Sequence, residues 1–146
     1  MRVLIDTNIL LDYFAKREPF FAPARTLLLA CMEKRMEGFI AAHSVLNVFY
    51  VLRHSHTPEQ RRNMLQGICR VLHVVGVDRE KIMAALADSS FRDFEDCVQV
   101  QCARACRADC IITRNVKDFA AAGIPAILPD EFCRQHLGAE EGQRQA

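Results

Sequence analysis

Hydrophobic and polar positions along the chain follow two rhythms. Short segments built around apolar runs, at residues 2–5, 39–41, 73–77, 109–113 and 126–128, read as strands. Between them the apolar positions return at helical spacing. Ala24, Leu27, Leu28 and Cys31 predict a helix over 22–35, and Val45, Val48, Phe49 and Leu52 predict another that ends near residue 54. Ser44 is the expected cap of that second helix. Further helices are predicted over 8–16, 58–71, 79–87 and 95–107, and from residue 129 onward. Thr57 followed by Pro58 marks one start, Asp78 caps another, and Pro19 suits the start of the helix after the first turn. Strands that alternate with helices imply an α/β domain, α/β/α in three layers, with a mostly parallel five-stranded sheet. One domain over 1–137 is expected, with a polar tail at 138–146 that forms no regular structure.

The acidic residues are concentrated where these runs change character. Val3-Leu4-Ile5 stops abruptly at Asp6, and the polar Thr7 and Asn8 follow. In a parallel sheet with right-handed crossovers, such strand-end positions collect along one edge, where sites form. A second acidic knot is Asp93-Phe94-Glu95-Asp96, at the start of a predicted helix. Asp93 is either the cap of that helix or part of its first turn, and in both cases it stays close to Asp96. Glu95 lies about 100° around the helix from Asp96 and is expected to face solvent or a basic neighbour. A third set, Thr113-Arg114-Asn115-Val116-Lys117-Asp118, closes another strand. Two carboxylates about 4 Å apart repel by roughly 4 kcal/mol at an effective dielectric of 20, and a divalent cation relieves that repulsion. Oxygen-only ligands favour Mg²⁺ or Mn²⁺ over zinc, and such an ion can orient water against a phosphodiester.

Composition alters this picture only slightly. The net charge of +1 neither requires nor excludes a nucleic-acid partner, so an RNA would be met by local patches. The five His lack metal-ligand spacing. Seven Cys, an odd number lying mostly in apolar stretches, fit free thiols in a reducing cytoplasm. Cys97, Cys102, Cys106 and Cys110 contain no C-x-x-C pair and read as small buried hydrophobes. No apolar run approaches a membrane span, and strand residues begin at Arg2, so neither an anchor nor a secretory leader is expected.

Asp-Thr-Asn-Ile-Leu-Leu-Asp from Asp6, Asp-Phe-Glu-Asp-Cys-Val-Gln from Asp93, and Ile-Ile-Thr-Arg-Asn-Val-Lys-Asp-Phe from Ile111, in this order, resemble the PIN-domain nucleases. VapC-like toxins of bacterial toxin–antitoxin pairs are the best-known small members. The resemblance extends from Val3 to about Phe132. It implies a metal-dependent endoribonuclease in which Asp6, Asp96 and Asp118, joined by Asp93, hold Mg²⁺ or Mn²⁺, with Thr113 as the hydroxyl beside the site. It also implies an antitoxin protein as partner and a homodimer. Asn8 and Asn115 are read as supporting residues. Many relatives place a Glu in the helix after the second strand, whereas this chain has Asn47 there, which keeps an oxygen but loses a charge. If Asp93 restores that charge, Asp93→Asn weakens Mn²⁺ binding about as much as Asp96→Asn.

Arg114 is the cation best placed for an RNA phosphate, followed by Arg53. Phe20, Phe21, Leu27, Leu28 and Leu29, and again Phe49, Tyr50 and Val51, are more apolar than one core face requires. A well-filled core explains them, and so does a dimer seam or a groove for a partner segment. Two other functions compete with the nuclease. One is a catalytically weak PIN-like module that binds RNA or protein, supported by Asn47. The other is a phosphate-accepting receiver domain, which fits poorly because its acid pair should lie at the first strand.

Overall fold

The computed structural model describes residues 1–138, so all but the first residue of the expected tail lies outside the described residues. Five parallel strands form a single sheet in the order β3-β2-β1-β4-β5. They are β1 (Arg2–Ile5), β2 (Glu37–Ala41), β3 (His73–Val75), β4 (Cys110–Ile112) and β5 (Ala126–Ile127). The expected sheet is therefore present, and it is parallel throughout. From β1 the chain moves outward through β2 to β3, then returns to the opposite side of β1 for β4 and β5. The switch point lies between β1 and β4, which pair in the register Val3–Cys110, Leu4–Ile111 and Ile5–Ile112. In open parallel sheets, the crevice beyond the strand ends at such a point is where ligands are bound.

Alternation along β1 separates the two cores. Val3 and Ile5 point into one core, with Ile40 of β2. The helices packed there are α1 (Thr7–Phe14), α2 (Phe21–Met32), α3 (Ala42–Val51) and α4 (Pro58–Val71), together with the short α7 (Pro129–Phe132). Leu4, Phe39 and Ala41 point the other way, against α5 (Arg79–Ala87) and α6 (Phe94–Ala105). The result is the three-layer arrangement expected from the sequence.

Local signals placed most helix boundaries within a few residues. Thr57 forms a full capping box with Gln60 at the start of α4. Asp78 caps α5 by accepting from the Lys81 N–H at 3.0 Å. Ser44 departs from expectation. The second strand runs directly into α3 at Ala42, and Ser44 sits buried inside its first turn without capping it. Its hydroxyl instead lies 2.7 Å from that of Thr7. The Pro19 turn does not enter α2 directly, because the helix begins at Phe21. Gly38 lets β2 pass close to α2, since a Cβ there would stand 2.5 Å from Leu72 Cδ2 and 2.6 Å from Cys31 Sγ.

Candidate metal centre

Asp6 is the first residue beyond β1 and also the N-cap of α1. Its Oδ1 accepts from the Thr7 N–H at 2.8 Å, and its own N–H donates to the Ile112 carbonyl across the switch point at 3.0 Å. The other oxygen, Oδ2, accepts from the Thr113 hydroxyl at 2.8 Å. Thr113 is fully buried, and its Oγ1 also accepts from the Asn115 N–H at 3.0 Å, which folds the loop after β4 over the end of β1. Asp6 is 4% exposed. Burial, together with the nearby Glu95 charge and against the pull of the Thr113 and Thr7 hydrogen bonds, raises its carboxyl to about 6.

The second station is the start of α6. Asp93 is the N-cap, and its Oδ1 accepts from the N–H groups of Glu95 and Asp96 at 2.7 and 3.3 Å. Ligand oxygens of Asp93, Glu95 and Asp96 all lie within 4.8 Å of one another. Burial lifts Asp96 to about 7, and the charges of Glu95, Asp93, Asp6 and Asp118 add to the lift. The charges of Asp6, at the β1 end, and of Asp118, on the 3-10 turn Val116–Phe119, thus reach Asp96, while the group of acids within 4.8 Å among the described residues is Asp93, Glu95 and Asp96. Asp118 itself is exposed.

Glu95 does have a basic neighbour. Its Oε1 lies 2.7 Å from His43 Nε2 on α3 and accepts from Gln99 Nε2 on α6 at 2.8 Å. Burial opposes its ionisation, but these hydrogen bonds prevail and hold its carboxyl below the ordinary value. Gln99, fully buried, also donates toward the hydroxyls of Ser44 and Thr7 at 3.0 and 3.1 Å. Sequence reading did not single out His43 or Gln99, and it marked Ser44 only as a helix cap. The available signal was a His-x₃-Asn run at the head of α3 and a Gln one helical turn beyond Glu95.

The remaining expected residues are more dispersed. Asn8 stands in the first turn of α1, and Asn115 precedes the 3-10 turn that carries Asp118. Asn47 is exposed on α3, one turn beyond His43. Arg114 is turned toward α1. Its Nε lies 2.9 Å from Oδ2 of Asp12, and its guanidinium stacks 4.1 Å from the Phe20 ring. Asp12 is fully buried and has Arg17 as a second cation at 3.9 Å. Arg53 stacks over the exposed Tyr50 at 3.7 Å. Every Cys is a free thiol, and among the described residues it is the acids of α6, not the Cys, that gather into a metal-holding group.

The PIN domain family model matches residues 2–117. The chain belongs to the PIN-domain family. Similar solved structures agree with this PIN fold. One is a toxin–antitoxin complex from Klebsiella pneumoniae, with 25% identity and a TM-score of 0.65, covering 87% of this chain and 97% of that one. VapBC2 from Rickettsia felis, bound to a DNA fragment from its promoter, has 17% identity and a TM-score of 0.66 over 88% and 98% of the two chains. VapBC-1 from nontypeable Haemophilus influenzae has 15% identity and a TM-score of 0.65 over 89% and 99%. No curated protein matches the chain.

The donors of this PIN domain are all carboxylate oxygens, a set that suits a hard divalent cation. Two of the carboxyls, Asp6 and Asp96, are raised to about 6 and about 7 by burial and by neighbouring acidic charge, and a cation would offset that charge.

Proposed function

We propose that this PIN domain is a Mg²⁺- or Mn²⁺-dependent endoribonuclease and the toxin of a toxin–antitoxin pair. The observation that carries the reading is the burial of Asp6 and Asp96 beside acidic neighbours beyond β1 and β4, which raises both carboxyls. Asp6, Asp96 and Asp118 hold the cation, and Asp93 adds charge at the rim. A bound divalent ion would supply charge neutralisation and polarise a phosphodiester in a site of this kind. Thr113 fixes Asp6 through the 2.8 Å hydrogen bond. Asn115 braces Thr113 through its backbone N–H, and Asn8 sits beside the cap. Arg53 on Tyr50 offers a cation beside an exposed ring, a pairing that suits a phosphate and an unpaired base. Arg114 has its charge matched by Asp12, so its share in phosphate binding is the smaller one.

The excess apolar residues of α2 divide between the core and a groove that we assign to a partner segment. Leu27 fills the core, while Phe21 stacks on Tyr13 at 5.8 Å and helps line a groove of about 640 Å³ between α1, α2 and α4. Lys16, Arg25 and His56 border that groove, and an antitoxin segment with acidic flanks fits it. Leu46 and Val51 are also exposed on α3 and suit a homodimer seam. No helix of the described residues is long and apolar enough to cross a membrane, and the free thiols fit a reducing cytoplasm.

Asn47 marks a subgroup in which α3 carries an amide where relatives carry an acid, and it favours the second reading, a PIN-like module that binds without cutting. The deciding experiment is cleavage of a mixed RNA pool with Mn²⁺, Mg²⁺ or EDTA by wild type and by the Asp6→Asn/Asp96→Asn double variant. Metal-dependent cutting that the double variant lacks supports the nuclease. RNA binding without cutting in either metal supports the module.

A further inference from the structure

Glu95 is the acid that the fold handles most deliberately. Three elements converge on it. His43 arrives from the head of α3, Gln99 from the next turn of α6, and Thr7 and Ser44 support Gln99 from behind. A carboxylate oxygen can only accept, so His43 carries its hydrogen on Nε2 and donates to Glu95. Both anchors end on Oε1, which leaves Oε2 free of either. Ligand oxygens of Glu95 and Asp96 lie within 4.8 Å of each other, and the Glu95 charge also bears on Asp6. Asp93 is used differently. Its Oδ1 is committed to two backbone N–H groups as a helix cap, and its side chain is exposed.

The anchoring is costly unless it serves a purpose. Gln99 is fully buried, yet its Oε1 has no partner, and neither does the buried Nδ1 of His43. Leaving a buried polar atom unpaired forfeits the hydrogen bond to water that it has in the unfolded chain. A free Glu at the head of α6 would turn to water. Here the network fixes the Glu95 carboxyl beside the other acids instead, with ligand oxygens of Asp93, Glu95 and Asp96 all within 4.8 Å of one another, an arrangement that a cation among them would stabilise.

We infer that Glu95 is a metal ligand of this site, joining Asp6 and Asp96, and that His43 and Gln99 are positioning residues that aim its Oε2 at the cation. The inference rests on the metal-dependent reading above. It gives Glu95 the place that the sequence suggests for Asp93, and it lets α3 contribute to the site through a base instead of an acid.

The test is Mn²⁺ binding by the full chain at pH 7.5, read by the electron paramagnetic resonance of free Mn²⁺, with urea unfolding in EDTA as the control for folding. Glu95→Gln is expected to weaken Mn²⁺ binding as much as Asp96→Asn does. Asp93→Asn, which can still cap α6 through its carbonyl oxygen, should change it less than about threefold. His43→Ala should weaken it about tenfold, as loss of an orienting partner commonly does. His43→Gln, which keeps an N–H for Oε1, should restore most of that loss. Should Glu95→Gln fold poorly, Glu95→Asp provides the same reading, because the shorter side chain keeps the charge but cannot reach both His43 and the cation. A Glu95→Gln or Glu95→Asp variant that binds Mn²⁺ like wild type while Asp96→Asn does not would overturn the inference and leave the metal site standing. Wild type that binds no Mn²⁺ would remove both.

Discussion

Asp6 should make the metal-free protein less stable as pH rises, a direction opposite to that of an ordinary salt-bridged Asp. In the folded chain it keeps its proton up to about 6, whereas an unfolded Asp releases it near 3.8. Between those values the native state binds more protons than the unfolded state, so stability falls with rising pH. A shift of about 2 units corresponds to roughly 3 kcal/mol, and Asp6 is too well buried for solvent to screen much of it. Asp78, Asp88 and Glu95 have lowered values. They are ionised in both states above about pH 5 and contribute no slope there. Asp96, raised to about 7, extends the decline in the same direction. The perturbation is Asp6→Asn, whose amide can accept from the Thr7 N–H and donate to Thr113 Oγ1. Urea unfolding in EDTA between pH 4 and pH 8 measures the effect. With a urea slope of about 2 kcal/mol/M, wild type should lose roughly 1.5 M in midpoint over that range because of Asp6, and Asp6→Asn should lose that much less. A variant whose midpoint falls in parallel with wild type would refute the assignment of the raised carboxyl to Asp6.

Other substitutions test the remaining contacts. Arg114→Ala leaves the fully buried Asp12 with only the 3.9 Å Arg17 contact and should cost about 3 kcal/mol in urea unfolding. If it instead raises KM for RNA with stability unchanged, Arg114 is a phosphate ligand after all. Thr113→Val removes the donor to Asp6 and the acceptor of the Asn115 N–H, so it should cost about 2 kcal/mol and steepen the decline in stability with pH. Gly38→Ala drives a methyl group into Leu72 and Cys31 and should lower stability by about 1–3 kcal/mol, with Mn²⁺ binding retained.

The fold was legible because the central strands carry short apolar runs, as strands covered on both faces do, and because several helices carry their own start signals. Thr57-Pro58 and Asp78 placed α4 and α5 to the residue. Ser44 misled because Ser is also a good cap, and nothing local shows that β2 enters α3 with no intervening loop. The same absence of a loop is what brings the Ser44 hydroxyl to Thr7 and Gln99. Arg114 was drawn to RNA because its neighbours in sequence are site residues. Its partner Asp12 lies 102 positions earlier, at the far end of α1, where only the folded chain reveals the pair.

Glu95 shows most clearly where reading along the chain stops. Helical geometry turns its Cα–Cβ bond away from that of Asp96, and on that ground alone it belongs to solvent or to a cation. A Glu side chain is long enough to undo that separation when something holds its end. His43 and Gln99 do so from two helices, and ligand oxygens of Glu95 and Asp96 come within 4.8 Å in spite of the angle between their stems. Periodicity fixes where a stem leaves the backbone, and for a long polar side chain the partners decide where the charge is placed. Since His43 and Glu95 are 52 positions apart, any substitution that shifts α3 against α6 should disturb the acid site without touching a single acid.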